Sequence, residues 1–324
     1  MRGFQKVEFI LKVMTFNIRF GTPGNKYPQW DARKEIVIST IKKYAPTVIG
    51  TQEGFKFQLD DINDALPDYE YLGVGRDNGL EEGEYTAIFY KVDKLVPREY
   101  GNFWLSDDPY VPGSNTWGSI CRRMVTWALF SSLKTGVDFY FFNTHFDFSE
   151  EIKMKSARLI NKIIRKITRK NKKSPIILVG DLNCTKDSPT FKYLRRTFKD
   201  TWFASGNKYE FGTFHDFTGK PMEMIDWILY RGPIRAISTQ IGTFKIDDKY
   251  PSDHFPVISE LAISATNPVA QLLSLQNKAE KLGIDPMKDR EKEHKKFGRE
   301  LDIYEKIQVL QSEIARTQKK DVYI

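Results

Sequence analysis

The run Pro175-Ile176-Ile177-Leu178-Val179-Gly180-Asp181-Leu182-Asn183 constrains this chain most tightly. Four consecutive large aliphatics leave no polar face, so a strand here must be covered on both sides. A strand of that kind lies in the middle of a layered core rather than on a surface. The run closes on Gly, Asp and Asn, residues that end strands and begin turns. In extended backbone Asp181 and Asn183, two apart, would point to the same side. Alone, such an ending is usually a turn. Its meaning depends on how the other strands end.

Aromatic and β-branched stretches predict further strands over 12–18, 47–53, 69–74, 85–90, 124–133, 138–144, 224–229 and 257–263. Helical spacing is predicted over 30–44, 57–66, 151–173 and 190–199. Several strands are adjacent, so this is not a strict β-α alternation. It predicts an α+β architecture of two mixed sheets packed face to face with helices outside. Strand signals stop near Ala265. The expected organisation is one domain over 1–265 and a charged helical extension over 266–324. In that tail Ile303, Ile307, Leu310 and Ile314 fall at heptad-like spacing, which suits docking on the domain, a protein partner or self-association.

Composition narrows the partners. A chain of 324 residues with net charge +8 favours polyanions: nucleic acid, phosphorylated small molecules or an anionic membrane surface. Its two cysteines, Cys121 and Cys184, lack CxxC spacing, which argues against a disulfide framework or a thiolate zinc site and predicts a reduced, cytoplasmic setting. The first residues do not read as a signal peptide, and no apolar run reaches the ~18 residues of a membrane span, so no integral membrane association is expected.

The strand ends carry the chemistry. Asn17, Glu53, His145, Asp181 with Asn183, and Asp226 each close or adjoin a predicted strand, and Asp253 with His254 precedes the last one. Each has a dull explanation: a solvated acid, a satisfied core histidine, a surface turn. Together they are residues that bind hard cations and phosphate, and three of the four histidines lie beside strands.

The motifs Thr15-Phe16-Asn17, Thr51-Gln52-Glu53, Asn143-Thr144-His145, Gly180-Asp181-Leu182-Asn183, Ile225-Asp226 and Ser252-Asp253-His254 together resemble the endonuclease/exonuclease/phosphatase superfamily, the deoxyribonuclease I-like fold. They occur in that family's order from about Val7 to Ile263. The runs Phe103-Trp104-Leu105-Ser106 and Gly212-Thr213-Phe214-His215 are similar to a branch near the deadenylase-like hydrolases. The resemblance implies a four-layer αββα sandwich and divalent-metal-dependent phosphoester hydrolysis, with Mg²⁺ as cofactor and Mn²⁺ as substitute. It implies the same roles that the residue types suggest. Glu53 is the metal ligand, with Asn17 and Asp253 completing or orienting the shell. Asp181 positions and deprotonates water, with Asn183 fixing its geometry. His145 and His254 donate to phosphate oxygens, and Asp226 holds the tautomer and charge of His254. A nucleic-acid substrate is the first expectation. A small or lipid-linked phosphoester (an inositol phosphate, phospholipid or sugar phosphodiester) is the alternative, and a non-catalytic scaffold is a third reading that the intact residue set disfavours.

Two further residues are candidate substrate contacts. Arg123, before the strand that starts at Met124, could clamp phosphate. His215, in its Gly-Thr-Phe-His turn, could line the pocket. From Ile152 to Lys173 there are ten Lys or Arg and no acids. That is either a phosphate track or, more commonly, a solvated outer helix face.

Overall fold

The structure, a computed structural model, describes residues 7–21, 27–170 and 173–265. The predicted helical tail and its heptad-like stripe lie outside them. The chain divides into two compact units. One, Ile10–Leu133 with Asp138–Ile263, contains the sheet cores, every described helix and the candidate site. The other comprises Met1–Phe9, Lys134–Val137 and Ser264–Ile324. Of it, the described residues cover only the outer ends of two strands and a short turn segment.

Twelve strands form two six-stranded sheets among the described residues. The first sheet contains β1 (Val7–Asn17), β2 (Val48–Gln52), β3 (Tyr69–Leu72), β4 (Ile88–Lys91), β11 (Ile234–Ile241) and β12 (Val257–Ala265), in the order β11-β12-β1-β2-β4-β3. The second contains β5 (Leu95–Trp104), β6 (Met124–Ser132), β7 (Asp138–His145), β8 (Ile176–Asp181), β9 (Lys199–Asp200) and β10 (Asp226–Arg231), in the order β5-β6-β7-β8-β10-β9. Both sheets are mixed: β1 runs parallel to β2 and β7 parallel to β8, while the neighbouring pairs β2–β4 and β8–β10 are antiparallel.

Side-chain alternation explains the four layers. On the outer face of the first sheet Met14, Phe16 and Ile49 pack with Val37, Ile38 and Ile41 of α1 (Lys34–Tyr44) and with Leu59 and Ile62 of α2 (Lys56–Ala65). On the outer face of the second, Phe142, Leu178 and Leu229 pack with Ile160 and Ile164 of α3 (Glu150–Ile167) and Phe191 and Leu194 of α4 (Pro189–Leu194). The inner faces meet through pairs such as Tyr90 and Phe130, whose ring centroids are 5.1 Å apart. The run Ile176–Val179 is thus buried on both faces, with helices on one side and the opposing sheet on the other. The fold is the expected αββα sandwich.

A polar stitch crosses the sheet interface. Asn143 on β7 donates to the carbonyls of Thr51 and Ala87, at 2.8 Å each, and accepts from Gln52 at 2.7 Å. It can reach them because Gly50 on β2 has no side chain: a Cβ there would lie 2.4 Å from a Val179 methyl and 2.7 Å from the Asn143 carboxamide. Gly50→Ala must either separate the sheets or turn Asn143 out of its bonds. It is expected to cost about 3 kcal/mol from overpacking and broken buried hydrogen bonds. A urea melt checks this. A loss under half a kcal/mol would mean that the interface is softer than these contacts imply.

Three strands were not read from sequence, and all are marginal or lie at edges. β5 and β11 each end a sheet, alternate poorly, and carry register shifts between Pro97 and Glu99 and between Ala236 and Ser238. β9 has two residues. Two helices are shorter than their patterns. α3 gives way to a 3₁₀ turn at Thr168–Lys170, and α4 stops at Leu194, so that Lys199 joins β9.

Candidate active site

Strand register assembles the site. In the second sheet His145 at the end of β7 is level with Asp181 at the end of β8, and Asp226 at the start of β10 is level with the same Asp181. In the first sheet β1 and β2 run parallel and end together, with Asn17 opposite Gln52. Glu53 follows directly, with φ +66°. A left-handed conformation strains a non-glycine residue. Here it turns the carboxylate back toward Asn17. The loop before β12 brings in Ser252, Asp253 and His254. All of these side chains are buried.

Asn17 is the hinge between the two sheets. Its amide nitrogen donates to Glu53 Oε1 and to Asp181 Oδ2, both at 3.0 Å, while its Oδ1 accepts from the Arg19 backbone N–H at 3.0 Å. Asp181 Oδ2 also faces two imidazoles, His145 Nε2 at 3.5 Å and His254 Nε2 at 3.7 Å. Its Oδ1 accepts from the Asn183 backbone N–H at 3.0 Å. The ring of His254 is held from behind by Asp226, with 2.8 Å between Nδ1 and Oδ2. Ser252 Oγ donates to the Asn17 carbonyl at 2.7 Å, tying the last loop to β1.

The electrostatics follow from burial and these partners. Burial, then the charge of Asp226, pushes Asp181 up to about 7, against the opposing pull of His254. Burial alone would neutralise His254, but Asp226 and Asp181 outweigh it and raise it to about 10, so His254 is an imidazolium at neutral pH. His145 goes the other way: burial, then Arg123 and Arg76, depress it well below the usual histidine range. Burial also works against ionised Glu53, yet Arg19, the Asn17 hydrogen bond and His254 hold it below the usual carboxylate range. Two imidazoles flank one carboxylate and carry different charges, the separation that acid–base chemistry needs.

Several residues differ from their sequence reading. Asn183 does not extend beside Asp181. β8 ends at Asp181, Asn183 takes φ +46°, and its amide donates to the Phe146 carbonyl at 2.9 Å. Its contact with Asp181 is through its backbone N–H instead. Asp253 faces Arg19, 3.6 Å from its Nε, and Arg19 also lies 3.3 Å from Glu53 Oε2. His215 is fully buried rather than lining a pocket: its ring stacks on Phe255 at 3.9 Å, and Nδ1 accepts from the Gly219 N–H. The turn places the ring between Tyr250 and Phe255 instead. Arg123 is buried beside His145, and its Nε and one terminal nitrogen have no partner among the described residues. The same small cavity is lined by Arg76 and Glu84, which form an ion pair with contacts of 2.5 and 2.8 Å. Burial, then Glu53, raises Glu84 to about 7 despite Arg76. Cys184 is buried and pushed up to about 12 by that burial, so it is no nucleophile.

Arg19, Arg33 and the Arg76–Glu84 pair were not singled out by sequence. Arg33, fully buried, donates to the carbonyls of Pro28, Ile18, Arg19, Phe20 and Pro251. It clamps the loop after β1 to the loop before β12. Only the position of Arg19, two residues beyond Asn17, was a usable signal.

The donor set fits a hard divalent cation. Ligating atoms of Glu53, His145 and Asp181 lie within 4.8 Å of one another. Two of these three donors are carboxylate oxygens, as Mg²⁺ and Mn²⁺ prefer. No helix among the described residues is long and apolar enough to cross a membrane.

Comparison with known proteins agrees with this geometry. The model of the Endonuclease/Exonuclease/phosphatase family matches residues 14–254. A solved member of that family from Bacteroides thetaiotaomicron is 31% identical, with TM-score 0.75, over 80% of this chain and 97% of that one. A mannosyl-6-phosphatase from the same organism is 32% identical, with TM-score 0.73, over 78% of this chain and 99% of that one. An uncharacterized protein of Acanthamoeba polyphaga mimivirus is 29% identical over 207 residues, 59% of this chain and 76% of its own length.

Proposed function

The chain belongs to the Endonuclease/Exonuclease/phosphatase family, and on that premise we propose that this phosphoester hydrolase is a divalent-metal-dependent phosphodiesterase that cuts nucleic acid. The observation that carries the reaction is the meeting of Asn17, Glu53, His145, Asp181 and His254 around one buried carboxylate. Asp181, poised near neutral pH, takes a proton from the attacking water as its oxygen bonds to phosphorus. The bond from phosphorus to the leaving oxygen then breaks, and that oxygen takes its proton from solvent. His254, kept charged by Asp226, and the unpaired nitrogens of Arg123 donate to the phosphoryl oxygens as charge grows on them. His145, neutral, adds a further hydrogen bond. Glu53 would hold the cation, with Asn17 orienting it. A bound Mg²⁺ would supply charge neutralisation at the phosphoryl group.

Net charge supports a polyanionic substrate. A second reading, hydrolysis of a sugar phosphate monoester, is favoured by the 32% identity to the mannosyl-6-phosphatase. One panel separates them. Chelator should lower the rate at least ~10²-fold, and Mg²⁺ should restore it. Turnover of single-stranded RNA or DNA supports the first reading. Turnover confined to mannose 6-phosphate and similar monoesters selects the second. Full activity in chelator sinks the metal-dependent mechanism.

A further inference from the structure

The mechanism leaves the solvent face of α3 unused. Lys155, Arg158, Lys162 and Lys166 are exposed and recur every three or four residues, so they form one stripe along the helix. The stripe is about 16 Å long at the helical rise. Lys155 pairs with Glu151 at 2.8 Å. Among the described residues no carboxylate pairs with Arg158, Lys162 or Lys166. An ordinary solvated helix face would intersperse acids. Beyond Glu150 and Glu151 in the first turn, α3 has none.

Aromatic side chains flank the stripe. Lys155, Arg158, Leu159 and Lys162 share a groove of about 330 Å³ with Trp117 and Asp107. Trp117 packs partly on the core, and its indole N–H donates to Asp107 at 2.9 Å, which sets the ring against the groove. Farther along, Tyr110 is 58% exposed, with the Lys166 ammonium 4.9 Å from its ring centroid. The acid in the groove, Asp107, is occupied by Trp117 and by Thr116.

The groove is joined to the catalytic cleft. Trp117 and Arg123 belong to one loop between β5 and β6, and Ser119 of that loop bonds Asp147, two residues beyond His145. Asp147 in turn accepts from the N–H of Ser149, the residue just before α3. The helix therefore starts at the cleft and leads its cations away from it.

We propose that the groove and the α3 stripe form an exosite for single-stranded nucleic acid, with backbone phosphates on Lys155, Arg158, Lys162 and Lys166 and bases against Trp117 and Tyr110. Cations alone would suit any polyanion. The half-buried ring of Trp117 and the exposed ring of Tyr110 beside them favour unpaired bases, whose faces are free, over a duplex, whose faces are stacked. This deepens the nucleic-acid reading of the site and rests on it for the fate of the bound strand.

The test is fluorescence anisotropy of labelled oligothymidylate with the full chain in chelator, at several salt concentrations. Four phosphate contacts predict a log–log salt slope of about −3. Replacing Arg158 and Lys162 together by Gln should reduce that slope in magnitude by about 1.4. Trp117→Ala should weaken binding at least ~5-fold with the slope unchanged. Both variants should keep wild-type turnover of a small chromogenic ester. Binding indifferent to all three changes overturns the exosite, as does binding to phosphatidylserine vesicles without binding to the oligonucleotide. Failure here is distinguishable from failure of the site reading. Polynucleotide cleavage with variant-insensitive binding removes the exosite and leaves the nuclease. Variant-sensitive binding without cleavage keeps the exosite and removes the nuclease.

Discussion

Asp181→Asn is expected to lower kcat by about 10³-fold while leaving KM within a few-fold of wild type. The substitution keeps the shape at the end of β8 and removes the negative charge that Asn17, His145 and His254 face together. Its stability effect is a balance. Burial and the Asp226 charge raise Asp181 to about 7, so its folded-state pKa lies above the ordinary value. An acid shifted that way costs stability once the pH passes its unfolded pKa, and the cost grows until the pH reaches the folded one. A neutral amide relieves that cost at alkaline pH. Against this, the new NH₂ must face either the Asn17 amide or the Asn183 N–H, both donors. These opposing effects should keep Tm within about 3 °C of wild type. Steady-state kinetics and a thermal melt on one preparation read both. A kcat loss that appears only together with a collapsed melting temperature would mean that Asp181 is structural.

Asp226→Asn should move the pH profile rather than merely scale it. The proposed mechanism needs Asp181 ionised and His254 protonated, which places its active window between about 7 and about 10. Asp226 raises both limits, by repelling the Asp181 charge and by pairing with His254. Without it both limits fall. His254 falls toward the ordinary value of about 6.5, since burial is then opposed by Asp181 and Asp253 only. At pH about 8.5 roughly one His254 in a hundred would remain charged, so kcat should drop about 10²-fold there and far less at pH about 6. The check is a kcat profile for both proteins. Parallel curves separated by a constant factor would show that Asp226 supports packing and does not set the charge of His254.

The parts of the site visible in the sequence share a physical cause. Asn17, His145, Asp181 and Asp226 are polar residues at the ends of strands that are otherwise apolar, and nothing in a packed sandwich wants a polar group there without a partner. Such residues are conspicuous in one dimension, and strand register then determines which of them meet. The parts not visible depend on backbone that leaves the strand. Glu53 and Asn183 both sit in left-handed conformations, so alternation in an extended chain cannot say where they point. That is why Asn183 reaches Asp181 through its backbone N–H. Arg19 and Arg33 read as ordinary loop cations, and only the folded chain shows one between two carboxylates and the other holding five carbonyls. His215 shows the converse: a histidine one residue from an aromatic, in a glycine turn, serves packing. β5 and β11 were missed because an edge strand buries one side only and tolerates Pro, Gly and bulges.

The proposed step is attack of water on phosphorus at the carboxylate of Asp181. The direct measurement is hydrolysis of a phosphoester by the Mg²⁺-loaded protein in water enriched in heavy oxygen, with mass spectrometry of both products. Attack at phosphorus puts one heavy oxygen on the phosphoryl product and none on the released alcohol. Label on the alcohol, or turnover by Asp181→Asn at the wild-type rate, would contradict it.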